Sequence, residues 1–263
     1  MTDYKNIIFS RHEFIGKVIF NRPGVLNAVD YDTIIEFKDI LAKIAEDSDI
    51  RVLVITGSGE KSFIVGADQK EIKMQFHDEE RAKSFEMQCR RGFSMLAGLG
   101  KPSICAINGY AFGLGLQLAL ACTFRIISFE AKMGLPEINM GFFPSMGATQ
   151  RLTRIVGEAK AMDLILTGET IDADEAFRIG LASRIVPHEE LDGFVGNFAE
   201  KLAEKSPLTM GLAMEAVSKG ADMRIEDGLE HEARLSDICL KSDDAKEGIK
   251  ARNEKRKPDF QGR

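Results

Sequence analysis

The stretch from Lys101 to Thr123, KPSICAINGYAFGLGLQLALACT, constrains this chain more than any other. Ser103 to Asn108 is a short apolar run of β-compatible residues, entered through Pro102. Leu114 to Cys122 is apolar on nearly every side and rich in Ala and Leu, which favour helix. Between them, NGYAFGLG carries the glycines 109, 113 and 115, which permit backbone angles and close approaches that a side chain forbids. A strand, a Gly-rich turn and a buried helix leave unpaired N–H groups at the helix start. Such a place holds a phosphate, a carboxylate or a carbonyl oxygen gaining negative charge. A dinucleotide fingerprint would need a third Gly where Leu118 stands, and a P-loop would need a Lys that is absent. Taken alone, the turn reads as a tight packing of a helix on a sheet.

The 263 residues suffice for one large domain, or one with an appendage. Net charge is −6, and no basic block precedes the run Lys250 to Lys257, which reads as a solvated helix end. Nucleic acid is therefore not an expected partner. Cys89, Cys105, Cys122 and Cys239 lack C-x-x-C spacing and read as thiols of a reducing compartment. The opening MTDYKNIIFSRHEF has charges interrupting each apolar run, unlike a signal peptide, and no stretch of about 18 apolar residues occurs. A cytoplasmic location and no membrane contact are the expectation. The four scattered histidines lack metal-ligand spacing, so no metal is expected.

Lys17–Asn21 reads as a strand ended by Arg22-Pro23-Gly24. Asp30 or Asp32 can cap a helix to about Ala45, with Ile34, Ile35, Phe37, Ile40, Leu41 and Ile44 on a helical period. Arg51–Thr56 is a strand of the fully buried type. Asp68 with Glu71 resembles a capping box, leaving the amide of Ala67 at a helix mouth. Ala82–Leu99 continues helical with a charged face. Phe124–Ser128 and Ala182–Val186 are further strands. Met133–Leu152 begins loop-like, and helices cover its end, Ala159–Thr167 and Asp172–Ile179. Strands alternating with helices predict an α/β fold with parallel pairing. From Leu191 only helical patterns occur, at Leu191–Lys205, Pro207–Lys219, Ile225–Lys241 and Asp244–Lys257. A boundary near residue 190 is expected, with residues 191–263 a helical region for subunit packing.

Six segments in order resemble the crotonase, or enoyl-CoA hydratase/isomerase, superfamily. They are NRPGVLNA (Asn21–Ala28), SFIVGADQKE (Ser62–Glu71), KPSICAINGYAFGLG (Lys101–Gly115), GLPEINMG (Gly134–Gly141), GATQRL (Gly147–Leu152) and EKRKPDF (Glu254–Phe260). The resemblance implies a spiral of ββα units with a helical C-terminal region that builds trimers, often paired into hexamers. It also implies an acyl-CoA thioester substrate whose enolate is held by two backbone amides, here those of Ala67 and Leu114. No cofactor is implied beyond the coenzyme A of the substrate itself.

In the same comparison Glu137 matches the proton-transferring glutamate, and Gln117 stands where family hydratases carry a second one. An amide orients water but does not accept its proton at neutral pH. For Gln117, positioning of water and a structural role weigh equally; for Glu137 alone, a loop carboxylate is the plain alternative to a base. Leu26, Ala28 and Ile64 to Asp68, thus Val65 and Gly66, match the strip that holds adenine and pantetheine. Core packing is the alternative for Leu26 and Val65, and helix capping for Asp68. Gly113 precedes the Leu114 amide, and Pro136, Gly141, Phe143 and Pro144 would border an acyl pocket for a hydrophobic or ring-bearing group.

With one carboxylate left, double-bond isomerisation by Glu137 as sole proton shuttle leads. Hydration of an enoyl- or dienoyl-CoA, with Gln117 aiming the water, is the second reading. Thioester hydrolysis or decarboxylation, or a module that binds acyl-CoA without catalysis, is more distant.

Overall fold

The computed structural model describes residues 4–74 and 77–263. The chain opens with strands β1 (Ile7–His12) and β2 (Ile15–Phe20), then helix α1 (Tyr31–Glu46). Next come β3 (Val52–Gly57), β4 (Ser62–Ile64), α2 (Gln69–Met74) and α3 (Glu79–Ala97). They are followed by β5 (Ser103–Ile107), β6 (Tyr110–Phe112), α4 (Leu114–Ala119), β7 (Phe124–Ser128) and β8 (Lys132–Gly134). A 3-10 turn (Pro136–Met140), α5 (Ala148–Val156), α6 (Glu158–Thr167), β9 (Thr170–Asp172), α7 (Ala173–Arg178) and β10 (Arg184–Val186) complete the mixed part. Helices α8 (Leu191–Ala203), α9 (Pro207–Gly220), α10 (Ile225–Lys241) and α11 (Asp243–Glu254) close the chain.

One sheet has the order β1-β2-β3-β5-β7-β10, parallel from β2 onward. Its central strands β3 and β5 are buried on both faces because both are covered, as parallel sheets require. Alternation sorts the side chains. Leu53, Ile55, Cys105 and Ile107 join the core shared with α1 and α3. Val52, Val54, Ile104 and Ala106 meet Leu191, Val195, Ala199 and Ala203 of α8 on the other face. The helical pattern that starts at Leu191 therefore opens with a helix that seals the sheet.

The second sheet, β4-β6-β8-β9, is built from strands of three residues each. Strands β4, β6 and β8 run parallel. The chain thus repeats one unit: a strand in the large sheet, a strand in the small sheet, then a helix or 3-10 turn. This repeat occurs as β3–β4–α2, β5–β6–α4 and β7–β8 with the turn 136–140. Parallel pairing brings the ends of β4, β6 and β8 to one edge, so the residues after each strand converge there.

Two features depart from the sequence reading. The hairpin strand β1 and the three-residue strands of the second sheet were not expected from local pattern. The capping box does not form. Asp68 Oδ1 accepts from Lys70 N at 3.0 Å, but the Asp68 amide is spent on Val29 O at 2.8 Å. Glu71 turns instead to Tyr31 N and Arg81 Nη2, both 3.3 Å from its Oε1. The bridge between Val29 and Ala67 takes the donor that the box would have used.

Candidate active site

Three loops after three parallel strands make the site. After β6, Gly113 adopts φ +53° and ψ −118°, which turns the chain into α4 and leaves the Leu114 amide in the first helical position. A Cβ on Gly115 would collide with the Ile64 carbonyl oxygen, so only glycine lets α4 lie this close to β4. After β4, Gly66 O accepts from Val29 N at 2.9 Å. In this parallel bridge the Ala67 N–H points away from Val29. Neither the Ala67 nor the Leu114 amide has a protein acceptor among the described residues. The position of a Cβ on Gly113 lies 3.7 Å from Gly66 Cα and 3.3 Å from Glu137 Oε1, so all three loops meet at this point.

Glu137 sits in the 3-10 turn after β8. Its Oε1 accepts from Gln117 Nε2 at 2.8 Å, and its Oε2 is buried with no partner among the described residues. Burial pushes this carboxyl above its ordinary value, against the pull of a backbone amide and of Gln117. Gln117, 2% exposed, accepts at Oε1 from Met146 N at 2.8 Å. A backbone N–H only donates, so the oxygen of Gln117 must face Met146 and its NH2 must face Glu137.

These groups border a cavity of about 510 Å³. Of the residues expected at the site, Val65, Gly66, Ala67, Gly113, Leu114, Gln117, Pro136, Glu137, Gly141 and Phe143 line it. Leu26, Ala28, Ile64, Asp68 and Pro144 do not. Ile64 and Ala28 are buried and Leu26 is exposed, so core packing of Leu26 is overturned. Leu26 and Asn27 are both left-handed, at φ 53° and 60°, and Asn27 Nδ2 holds Ser58 O and Ser62 O at 2.9 and 3.0 Å. Asn27 is buried inside this loop, which leaves Leu26 outside. Asp68 accepts from Arg22 Nη2 at 2.8 Å, which also bridges Asp30 at 2.9 Å. Burial would raise the Asp68 carboxyl, but the Lys70 amide and Arg22 hold it below its ordinary value.

The sequence reading missed one wall. Glu79, Ala82, Lys83 and Glu86 line the cavity from one face of α3, with Phe85 beside them. Their i, i+3, i+4, i+7 spacing is visible in the sequence. Nothing in it says that this charged face meets the loops after β6 and β8.

The family profile described as enoyl-CoA hydratase/isomerase matches residues 10–263. The chain belongs to this family. A protein named crotonyl-CoA hydratase from Syntrophomonas wolfei is 39% identical over 257 residues, 98% of each chain. One named (E)-benzylidenesuccinyl-CoA hydratase from Thauera aromatica is 40% identical over 250 residues, covering 94% of this chain and 96% of that one. The crystal structure of an enoyl-CoA hydratase from Bacillus anthracis superposes with a TM-score of 0.95 at 36% identity, covering 98% of this chain and 100% of that one. The crotonase-like fold expected from the resemblance is thus the fold observed. Both relatives carry hydratase names, which favours hydration over isomerisation; but with Gln117 spent on Glu137 and Met146, the geometry does not support its aiming the water.

Proposed function

We propose that this protein hydrates the C2–C3 double bond of an enoyl-CoA thioester, with Glu137 as the sole acid/base group. The observation that carries the reading is the Glu137 carboxylate, one oxygen held by Gln117 and the other unpartnered among the described residues, beside two helix-mouth amides with no acceptor among them. The thioester carbonyl oxygen accepts from the Ala67 and Leu114 amides. Each such donor lowers the barrier to an oxyanion by about 3 kcal/mol. Glu137 takes a proton from water as the hydroxyl oxygen bonds to C3. The C2–C3 π electrons move into an enolate held by the amides, and Glu137 returns the proton to C2. Water is consumed whole and the enzyme ends as it began.

Gln117 supplies an uncharged donor that keeps Glu137 in place; its oxygen, committed to Met146, takes no proton. The names of the relatives support the substrate class. The apolar walls at Phe85, Phe142 and Phe143 suit a hydrophobic acyl group. We also propose that residues 191–263, through α9 to α11, join copies of the chain into a trimer or hexamer.

Turnover of a 2-enoyl-CoA and its 3-enoyl isomer tests the reading. Hydration should dominate, and Glu137→Gln should lower kcat at least about a hundredfold, the scale of a lost acid/base group. Faster isomerisation than hydration in the wild type would restore the first reading. An unimpaired Glu137→Gln enzyme would remove Glu137 from the chemistry.

A further inference from the structure

The GATQRL segment carries a cation that the proposed chemistry leaves unexplained. Arg151, on the first turns of α5, is half-buried and has no ion-pair partner among the described residues. Burial alone lowers its pKa from the ordinary value. Its Nη1 donates to one acceptor, the Met146 carbonyl, at 3.1 Å. Gly147, at φ +94°, makes the contact possible, because a Cβ there would overlap the guanidinium. The one hydrogen bond that this half-buried guanidinium makes within the described residues is thus to the backbone of the loop before α5.

We infer that Arg151 is a positioning residue that sets the protonation behaviour of Glu137 through Met146 and Gln117. The inference rests on the reading of Glu137 as the acid/base group. The guanidinium holds the Met146 carbonyl, and with it the backbone of 145–147. The Met146 amide is thereby presented to Gln117 Oε1 at 2.8 Å. The Gln117 oxygen is pinned, so its Nε2 faces Glu137 Oε1, also at 2.8 Å. If residues 145–147 shift, the Gln117 side chain loses its anchor at Met146, and its Nε2 swings out of reach of the Glu137 carboxylate. That donor lowers the Glu137 carboxyl against the effect of burial. Arg151 thus acts on Glu137 by orientation, not by its own field.

The test measures kcat, KM and the pH dependence of kcat/KM with a 2-enoyl-CoA for wild type, Arg151→Met, Arg151→Lys, Gln117→Leu and the Arg151→Met/Gln117→Leu double variant. Arg151→Met should lower kcat about tenfold with KM changed less than about threefold. Its acid limb should move to higher pH, because Glu137 loses a donor that favours its ionised form. Arg151→Lys keeps a charged donor and should hold the limb near its wild-type position. Gln117→Leu should move the limb the same way, and adding Arg151→Met to it should move it no further. If Arg151→Met does not fold, Arg151→Gln, which keeps the bulk and a weaker donor, is read by the same measurements. A limb that stays in place in the Arg151 variant, or that moves again in the Gln117→Leu background, overturns the inference. If Glu137→Gln turns over at the wild-type rate, the reading of Glu137 fails as well. A slow Glu137→Gln enzyme with an unmoved Arg151 limb overturns this inference alone.

Discussion

At the scale of the residue, the pair Gln117 and Glu137 shows what an amide does beside a single carboxylate. A glutamate at position 117 would place two carboxyl groups 2.8 Å apart, and one of them would hold a proton. The amide gives Glu137 a hydrogen bond without a second charge. Burial still raises the Glu137 carboxyl, which fixes the sign of its effect on stability. A carboxyl raised in the folded state contributes stability below its unfolded value, near 4.5, and loses it as pH rises through the folded value. Thermal melts of wild type and Glu137→Gln should therefore coincide more closely at pH 4 than at pH 8. At pH 8 the glutamine variant should melt higher, since it buries no charge. A wild type that gains on the variant as pH rises would contradict the environment described for Glu137.

At the scale of the element, the site depends on how closely α4 lies against β4. Three-residue strands have little stability of their own and stand because β6 is paired on both sides, to β4 and β8. The contact between Gly115 and the Ile64 carbonyl sets the distance between the Leu114 and Ala67 amides. Gly115→Ala should cost about 1–3 kcal/mol of stability, as overpacking of a tight contact does. It should also reduce turnover beyond any effect on substrate binding, because the two amides no longer converge. Chemical denaturation and steady-state kinetics on the same variant check both halves. Wild-type turnover at reduced stability would separate the amide pair from the α4 contact.

At the scale of the whole molecule, α8 belongs to the sheet, whereas α9 to α11 present apolar residues to solvent. Val217, Ile225, Leu229, Ile238, Leu240 and Ile249 are each at least half exposed. These are the residues that the proposed assembly would cover. Sedimentation should find a trimer or hexamer, and Ile225→Asp with Leu229→Asp should shift it toward monomer while far-ultraviolet dichroism stays unchanged. A wild-type monomer at micromolar concentration would refute the assembly. Among the described residues, no helix is long and apolar enough to cross a membrane.

The sequence by itself determined the elements whose pattern is local and long. The buried strands at 52–57, 103–107 and 124–128, and the periodic helices from 191 onward, carry enough apolar residues to declare their type. It also placed the Ala67 amide at a helix mouth and a Gly-rich turn before Leu114, while Glu137 was singled out only by the resemblance to the family. It did not contain the small sheet, because three residues hold too little pattern and the partners lie far apart: Ser62 pairs with Tyr110, and Tyr110 with Lys132. Nor did it contain the failed capping box at Asp68, where a tertiary bridge to Val29 claims the donor first. The orientation of Gln117 is the clearest case. Its residue type is written in the chain, but which of its two atoms faces Glu137 was decided only by folding. A backbone amide 29 residues away has no choice but to donate, and the side-chain oxygen turns to meet it.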